Sequence, residues 1–332
     1  MKKISLVLLL FLSVAACNPS HKKQLNFSLK GLYPEKVEIK SYGNALFSLD
    51  TNNFKTALES IKDDYIYFLD GDLNDSSNLN QIYNFVTDTL LISMYNRSQQ
   101  VYPDLKTIEN ELTSGLRRFH YYFPEINLPE FYTYISGIDF EAPVLTDGNA
   151  MVIALDCYLG AEETIYKKMG IPNYISNRMT SSHLVNDVFK TFYSTYFETD
   201  KQSKTILDEM IKAGKQYYFL EAMQPDLPDH LLIGYSKEQL DWLKAHEGDV
   251  WAFLVGEQML YANDFQKFRK LFGDGPFTQD FSTEAPARIG EWVGWQIIRH
   301  YVKSNPEICI KKLIGIQDSQ DILTDSRYRP KN

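Results

Sequence analysis

A mainly helical α+β fold with a small central sheet follows from three observations. Helix-spaced apolar residues recur through both halves of the chain. Between them, residues 131–155 change texture to short runs of β-forming residues. No internal repeat, low-complexity block or strong linker interrupts residues 31–332, so they read as one globular domain. A chain of 332 residues can bury roughly 75% of its unfolded surface and needs no staples.

The chain opens on Met1-Lys2-Lys3 and an apolar run from Ile4 to Val14, too short to span a bilayer as a mature helix. Residues 1–16 read as a signal peptide. Val14-Ala15-Ala16-Cys17 resembles a bacterial lipobox, with small residues before a Cys whose thiol is the acylation site. Cys17 is therefore the expected lipidation site, and a three-chain anchor holds where one acyl chain gives only marginal binding. No acidic run follows the Cys, which favours the periplasmic face of a membrane over the cell surface. Residues 17–30 are polar and aperiodic, a lipidated tether.

Val37-Glu38-Ile39-Lys40 alternates as a strand does. Asp50 can cap a helix through Phe54, Leu58, Ile61 and Tyr65. Leu79 to Tyr95 has helical spacing, and a further helix runs from Pro103-Asp104 through Leu112 and Phe119 to Pro124. Phe131–Gly137 and Ala150–Leu155 read as strands, with Asp147-Gly148-Asn149 as a turn. Beyond Arg178 the chain is helical again. Thr180-Ser181-Ser182 caps a stripe of Leu184, Val188, Phe192 and Tyr196, and Ser203 can cap the next helix, through Met210 to Leu220. Ser236 begins a helix reaching past Trp251 to Tyr261, and Asp264 a short one to Phe272. Pro286 opens the last strong helix, Pro306 a final short one, and residues 318–332 look frayed.

Net charge is −9. Without Lys2 and Lys3 the balance is 32 basic against 43 acidic residues, or −11. Such a surface argues against nucleic acid and against electrostatic docking on anionic lipid. The 22 Tyr and 20 Phe suit half-buried helix faces and contact surfaces. Cys157 and Cys309 sit in apolar surroundings and read as small hydrophobes rather than a bridge.

His183 and Asp187 lie one turn apart on a helix face. A zinc peptidase wants two ligands at that spacing, a Glu beside the first as base, and an acid from a following helix. Here Leu184 holds the base position, Asp187 the second ligand position, and Lys212 stands where an acid is wanted, with Glu209 one turn earlier. A metal site of His183, Asp187 and Glu209 is the alternative. The leading expectation is an ordinary helix whose His and Asp share a surface hydrogen bond. No G-x-S-x-G, Walker A or G-x-G-x-x-G occurs, and Gly71–Asp75 lacks the Gly and distal Glu of a calcium loop. No catalytic residue and no cofactor is assigned. Gly290 and Gly294, one turn apart within a helix, cost roughly 1 kcal/mol each and point to close approach by another element. Arg288, Trp292 and Trp295 around them are the candidate partner-docking face.

Several segments in order resemble the gliding motility lipoprotein GldB family. These are Cys17 with its signal, Leu46–Asp50, Ile153–Gly160, Gly214–Met223, Ile233–Tyr235 and Pro286–Gln296. The resemblance runs over essentially the whole mature chain. It implies a cell-envelope lipoprotein needed for surface motility, in cells where motility is tied to a secretion apparatus, and it implies no reaction. More distantly, strand, turn, strand and His-bearing helix resemble zincin-like peptidases, from which the chain departs at Leu184, Asp187 and Lys212. The expected function is contact with proteins of the motility machinery. A metallopeptidase-like hydrolase and a glycan-binding lipoprotein using its aromatic surface are the alternatives.

Overall fold

The computed structural model describes residues 25–198, 203–278 and 284–330. Four strands form one mixed sheet: β1 (Ile39–Ser41), β2 (Glu130–Tyr134), β3 (Val144–Thr146) and β4 (Ala150–Ala154), in the order β1-β2-β4-β3. β1 pairs parallel with β2, Ile39 opposite Phe131, and β2 parallel with β4, Glu130 opposite Ala150. β3 and β4 make the antiparallel hairpin. Its turn is held by the Asp147 carboxylate, which accepts from the Asn149 and Ala150 amides at 2.8 Å each. β1 starts two residues later than alternation predicts. The Val37 and Ile39 amides donate instead to Thr113 Oγ1 and Glu109 Oε1, so a helix side covers this stretch.

Between β1 and β2 come α1 (Phe54–Ile61), α2 (Ser76–Thr87), α3 (Thr89–Val101) and α4 (Lys106–Tyr122). The expected single helix over Leu79–Tyr95 is in fact two. Asp88 adopts an extended conformation and its carboxylate accepts from the Leu90 and Leu91 amides, so it ends α2 and caps α3. A small separate core of Tyr42, Leu46, Phe54, Leu58, Leu69, Leu73 and Val86 sits here, with Tyr42 stacked on Phe68 at 3.9 Å. Tyr134 on β2 packs against this core and also against the main one.

The second half holds α5 (Ser181–Phe197), α6 (Ile206–Met223), α7 (Lys237–Ala245), α8 (Glu247–Gly256), α9 (Ile289–Ser304) and α10 (Ser319–Ser326). Thr205, not Ser203, caps α6, through a reciprocal pairing with Asp208. The helix expected from Ser236 to Tyr261 breaks at His246, whose ring stacks on Trp242 and whose Nδ1 lies 2.8 Å from the Trp242 carbonyl. The terminus expected to fray is ordered by burial. Ile322 is fully buried, Tyr328 nearly so, and the Tyr328 hydroxyl donates to Glu247 at 2.8 Å.

α6 and α9 form the centre of the main core. Gly214 and Gly294 face each other at their crossing. A Cβ on Gly294 would stand 2.5 Å from the Met210 carbonyl carbon and closer still to its oxygen. The backbones touch, and Trp295, Val293, Ile297 and Ile298 fill the flanks with no solvent exposure. The charged pair inside this packing is Glu221 with Arg299, at 2.9 Å, with Trp295 Nε1 also donating to Glu221.

The globular body begins earlier than residue 31. Leu25 is buried in the main core, and Arg118 Nη1 donates to its carbonyl at 2.7 Å. Cys17 and the proposed signal peptide lie outside the described residues.

Candidate functional site

His183 and Asp187 occupy the first two turns of α5, as their spacing requires. They are not a surface pair. His183 is 5% exposed, and burial pushes its imidazole down to about 4, so it is neutral near pH 7. Its Nδ1 lies 2.8 Å from Thr180 Oγ1, which takes that hydroxyl away from the usual capping role. Its Nε2 is buried with no hydrogen-bond partner. Asp187 makes no bond to the imidazole. It accepts from Tyr158 Oη at 3.0 Å and from Lys190 Nζ at 3.1 Å.

Glu209 is not brought to them. Gln224, at the end of α6, donates to Asn186 in the second turn of α5, and Lys212 near the start of α6 pairs with Glu198 at the end of α5, so the two helices run antiparallel. Glu209 lies in the first turn of α6, about 22 Å away along that axis. There it accepts from Ser203 Oγ at 2.6 Å. Lys212, at the same far end, pairs with Glu198. Among the described residues no group of three or more His, Cys, Asp and Glu side chains is placed to hold a metal ion. The set His183, Asp187 and Glu209 therefore does not converge in this fold.

What His183 does border is a cavity of about 180 Å³ between α5 and the segment after β4. Cys157, Tyr158, Arg178, Asp187 and Lys190 give it its chemistry, and Phe140, Pro143, Ile175 and Met179 its apolar wall. The Cys157 thiol is pushed well up by burial, aided by the neighbouring Asp156 charge, and stays protonated. Asp156 is itself fully buried and raised by desolvation, and it accepts from the Ser136 and Ile138 amides at 2.9 and 2.7 Å. It ties the loop after β2 to the end of β4, and so sets one wall. No thiolate is assembled among these residues; the hydroxyls in contact with a base are Tyr158 Oη on Asp187 and Thr180 Oγ1 on His183 Nδ1. Cys157 and Cys309 are both free thiols. Sequence reading named His183 and Asp187 but not Tyr158, Arg178 or Lys190. Lys190 stands on α5 one turn beyond Asp187, while Tyr158 and Arg178 reach the cavity from segments outside that helix.

The proposed docking face of Arg288, Trp292 and Trp295 is corrected by burial. These residues are 8%, 2% and 0% exposed. The glycines beside them serve the contacts inside the protein, Gly294 against α6 and Gly290 against the Phe272 ring. Arg288, at φ 58, caps α9 from a left-handed conformation. Its guanidinium reaches Glu291 at 3.2 Å, the Ile233 carbonyl at 3.0 Å and Asp274 at 3.4 Å. Arg178 shares Asp274 with it. The Arg288 guanidinium is thus spent on contacts within the chain, with Asp274 at their exposed edge.

No helix among the described residues is long and apolar enough to cross a membrane. No curated protein and no solved structure matches the chain. One family does, described as gliding motility protein GldB, over residues 22–330. The match runs through both halves of the fold, from the segment ahead of β1 to beyond α10, and on it the chain belongs to the gliding motility protein GldB family.

Proposed function

We propose that the protein is a cell-envelope lipoprotein required for gliding motility. Cys17 holds it on the periplasmic side of a membrane, and it acts through contacts with proteins of the motility and secretion machinery rather than through catalysis. The observation that carries this reading is the family match across 22–330. The separation of Glu209 from His183 and Asp187 bears on the metal-site alternative, since the three do not meet around one ion.

The test is made in gliding cells. A photo-crosslinking residue placed at exposed positions is expected to trap a protein whose own deletion abolishes gliding. Tyr67 and Tyr83, 42% and 39% exposed on the small helical lobe, are suitable positions. Stoichiometric zinc in the purified protein, lost in His183→Ala together with a peptidase activity, would overturn the non-enzymatic reading.

A further inference from the structure

We infer that the face around the tether exit, built on Tyr33 and Tyr121, is a second membrane contact that seats the domain on the phospholipid surface. The inference rests on the lipid anchor at Cys17. Three observations carry it.

The first is where the chain enters the fold. Leu25 is buried, and seven residues lie between it and Cys17, a reach of at most about 29 Å even fully extended. An anchored protein cannot hold this face far from the bilayer. A short tether also sets an effective concentration on the order of millimolar, so a contact too weak to detect in free solution becomes populated.

The second is aromatic exposure. Tyr33 and Tyr121 are 59% and 57% exposed, exceeded among the described large hydrophobics only by Tyr261. Both are mounted rigidly. Tyr121 packs on Phe27 at 4.7 Å, two residues after Leu25, and Tyr33 stands edge-on to His120 at 4.9 Å. Successive arginines of α4 grip the two chain segments beneath them. Arg118 donates to the Leu25 carbonyl and Arg117 to the Pro34 carbonyl at 2.8 Å. Tyrosine, with an apolar ring and a polar tip, is the residue enriched at the headgroup level of membranes.

The third is charge. The chain as a whole carries −9, yet residues 18–36 hold four Lys (22, 23, 30 and 36) and one Glu, a local balance of +3 with His21 neutral. Glu35 is that acid; Asp226, hydrogen-bonded to Asn26, adds a carboxylate beside the exit, and Lys36 is paired with Glu38 and lies 3.9 Å from Glu109, so the positive balance rests on Lys22, Lys23 and Lys30. Basic clusters next to an anchor are drawn to anionic headgroups. The lysines of the tether thus stand apart from the acidity of the chain as a whole.

The test uses the full lipidated chain in vesicles of phosphatidylethanolamine and phosphatidylglycerol. In a Cys309→Ser background, Tyr33→Cys, Tyr121→Cys and Met169→Cys each carry an environment-sensitive fluorophore, and a headgroup nitroxide lipid is the quencher. Cys157 is buried and stays unlabelled. Met169, 45% exposed, is the control. It lies near the opposite end of α4, where Tyr102 bonds the Tyr158 carbonyl and Tyr166 the Leu159 amide. Quenching at 33 and 121 is expected to exceed that at 169 at least two-fold, and to weaken at high salt. Equal quenching at all three while the protein floats with the vesicles would overturn the inference and leave the anchor standing. A wild-type chain that fails to float, or a Cys17→Ala chain that still does, would remove the anchor and this inference with it.

Discussion

Replacing Gly294 by Ala tests the helix crossing at the centre of the fold. Away from tertiary contacts, Gly→Ala within a helix stabilises by roughly 1 kcal/mol. Here the new Cβ would stand 2.5 Å from the Met210 carbonyl carbon and 2.9 Å from its Cα, both backbone atoms that no rotamer change can move. Ordinary carbon contacts need about 3.5–4.0 Å, so α6 and α9 must part by roughly 1 Å. A gap of that size forfeits a quarter to a half of each contact it opens. The side chains that lose contact include Trp295, Val293 and Ile298, all fully buried. Overpacking of this kind costs about 1–3 kcal/mol or more, and the backbone-to-backbone clash puts Gly294 at or above the upper end. Net of the helix gain, the expected loss is about 2 kcal/mol or more, or roughly 3 °C or more in Tm for a chain of this size. Urea and thermal unfolding of the chain from residue 18 measures it. Gly256→Ala is the matched control, a helical glycine with open space around its Cβ, and should be neutral or slightly stabilising. A Gly294→Ala protein that melts at or above wild type would refute the close crossing.

Four further outcomes follow. Burial holds His183 down to about 4 against an ordinary value of 6.5, so the unfolded chain binds a proton that the folded one refuses. Stability contributed by this group is present above pH 6.5 and falls as pH drops toward 4, by up to about 3 kcal/mol, and His183→Gln should flatten that slope in urea titrations. Arg299→Met leaves Glu221, with no solvent exposure, facing Trp295 and no guanidinium, and should cost about 3–5 kcal/mol in the same assay. Ile322→Ala empties a fully buried site in α10 and should cost about 2–5 kcal/mol, whereas a frayed terminus would show no change. Asp88→Ala removes the cap of α3 and should cost about 1 kcal/mol.

Much of the fold was legible because it depends on local periodicity. The spacing of Leu184, Val188 and Phe192 placed α5, and the change of texture after Phe131 placed the sheet. What escaped were decisions made by single residues or distant partners. Asp88 splits a helix because its carboxylate caps better than a continued turn, a choice the apolar spacing on either side does not record. α10 looked frayed because its few apolar residues are meaningful only against α9 and Glu247. At the candidate site, spacing put His183 and Asp187 on one helix correctly, but antiparallel packing of α5 and α6 sent Glu209 to the other end. The glycines of α9 were read correctly as a sign of close approach. Their neighbours Arg288, Trp292 and Trp295 were misassigned because a face smooth enough to dock a partner looks the same in sequence as one already docked on its own chain.

The parallel pairing of β1 with β2 has a mechanical meaning. A pull on the chain ahead of Leu25 travels through the segment clasped by Arg118 and Arg117 and arrives along the axis of β1. Because β1 lies parallel to β2, with Ile39, Lys40 and Ser41 registered on Phe131, Tyr132 and Thr133, tension along it loads all three registered pairs together in shear rather than unzipping them one by one. Resistance to such a pull is a matter of unfolding rate rather than equilibrium stability. Under the proposed anchoring at Cys17, the strand nearest the anchor is thus sewn in where a tug meets three pairs at once.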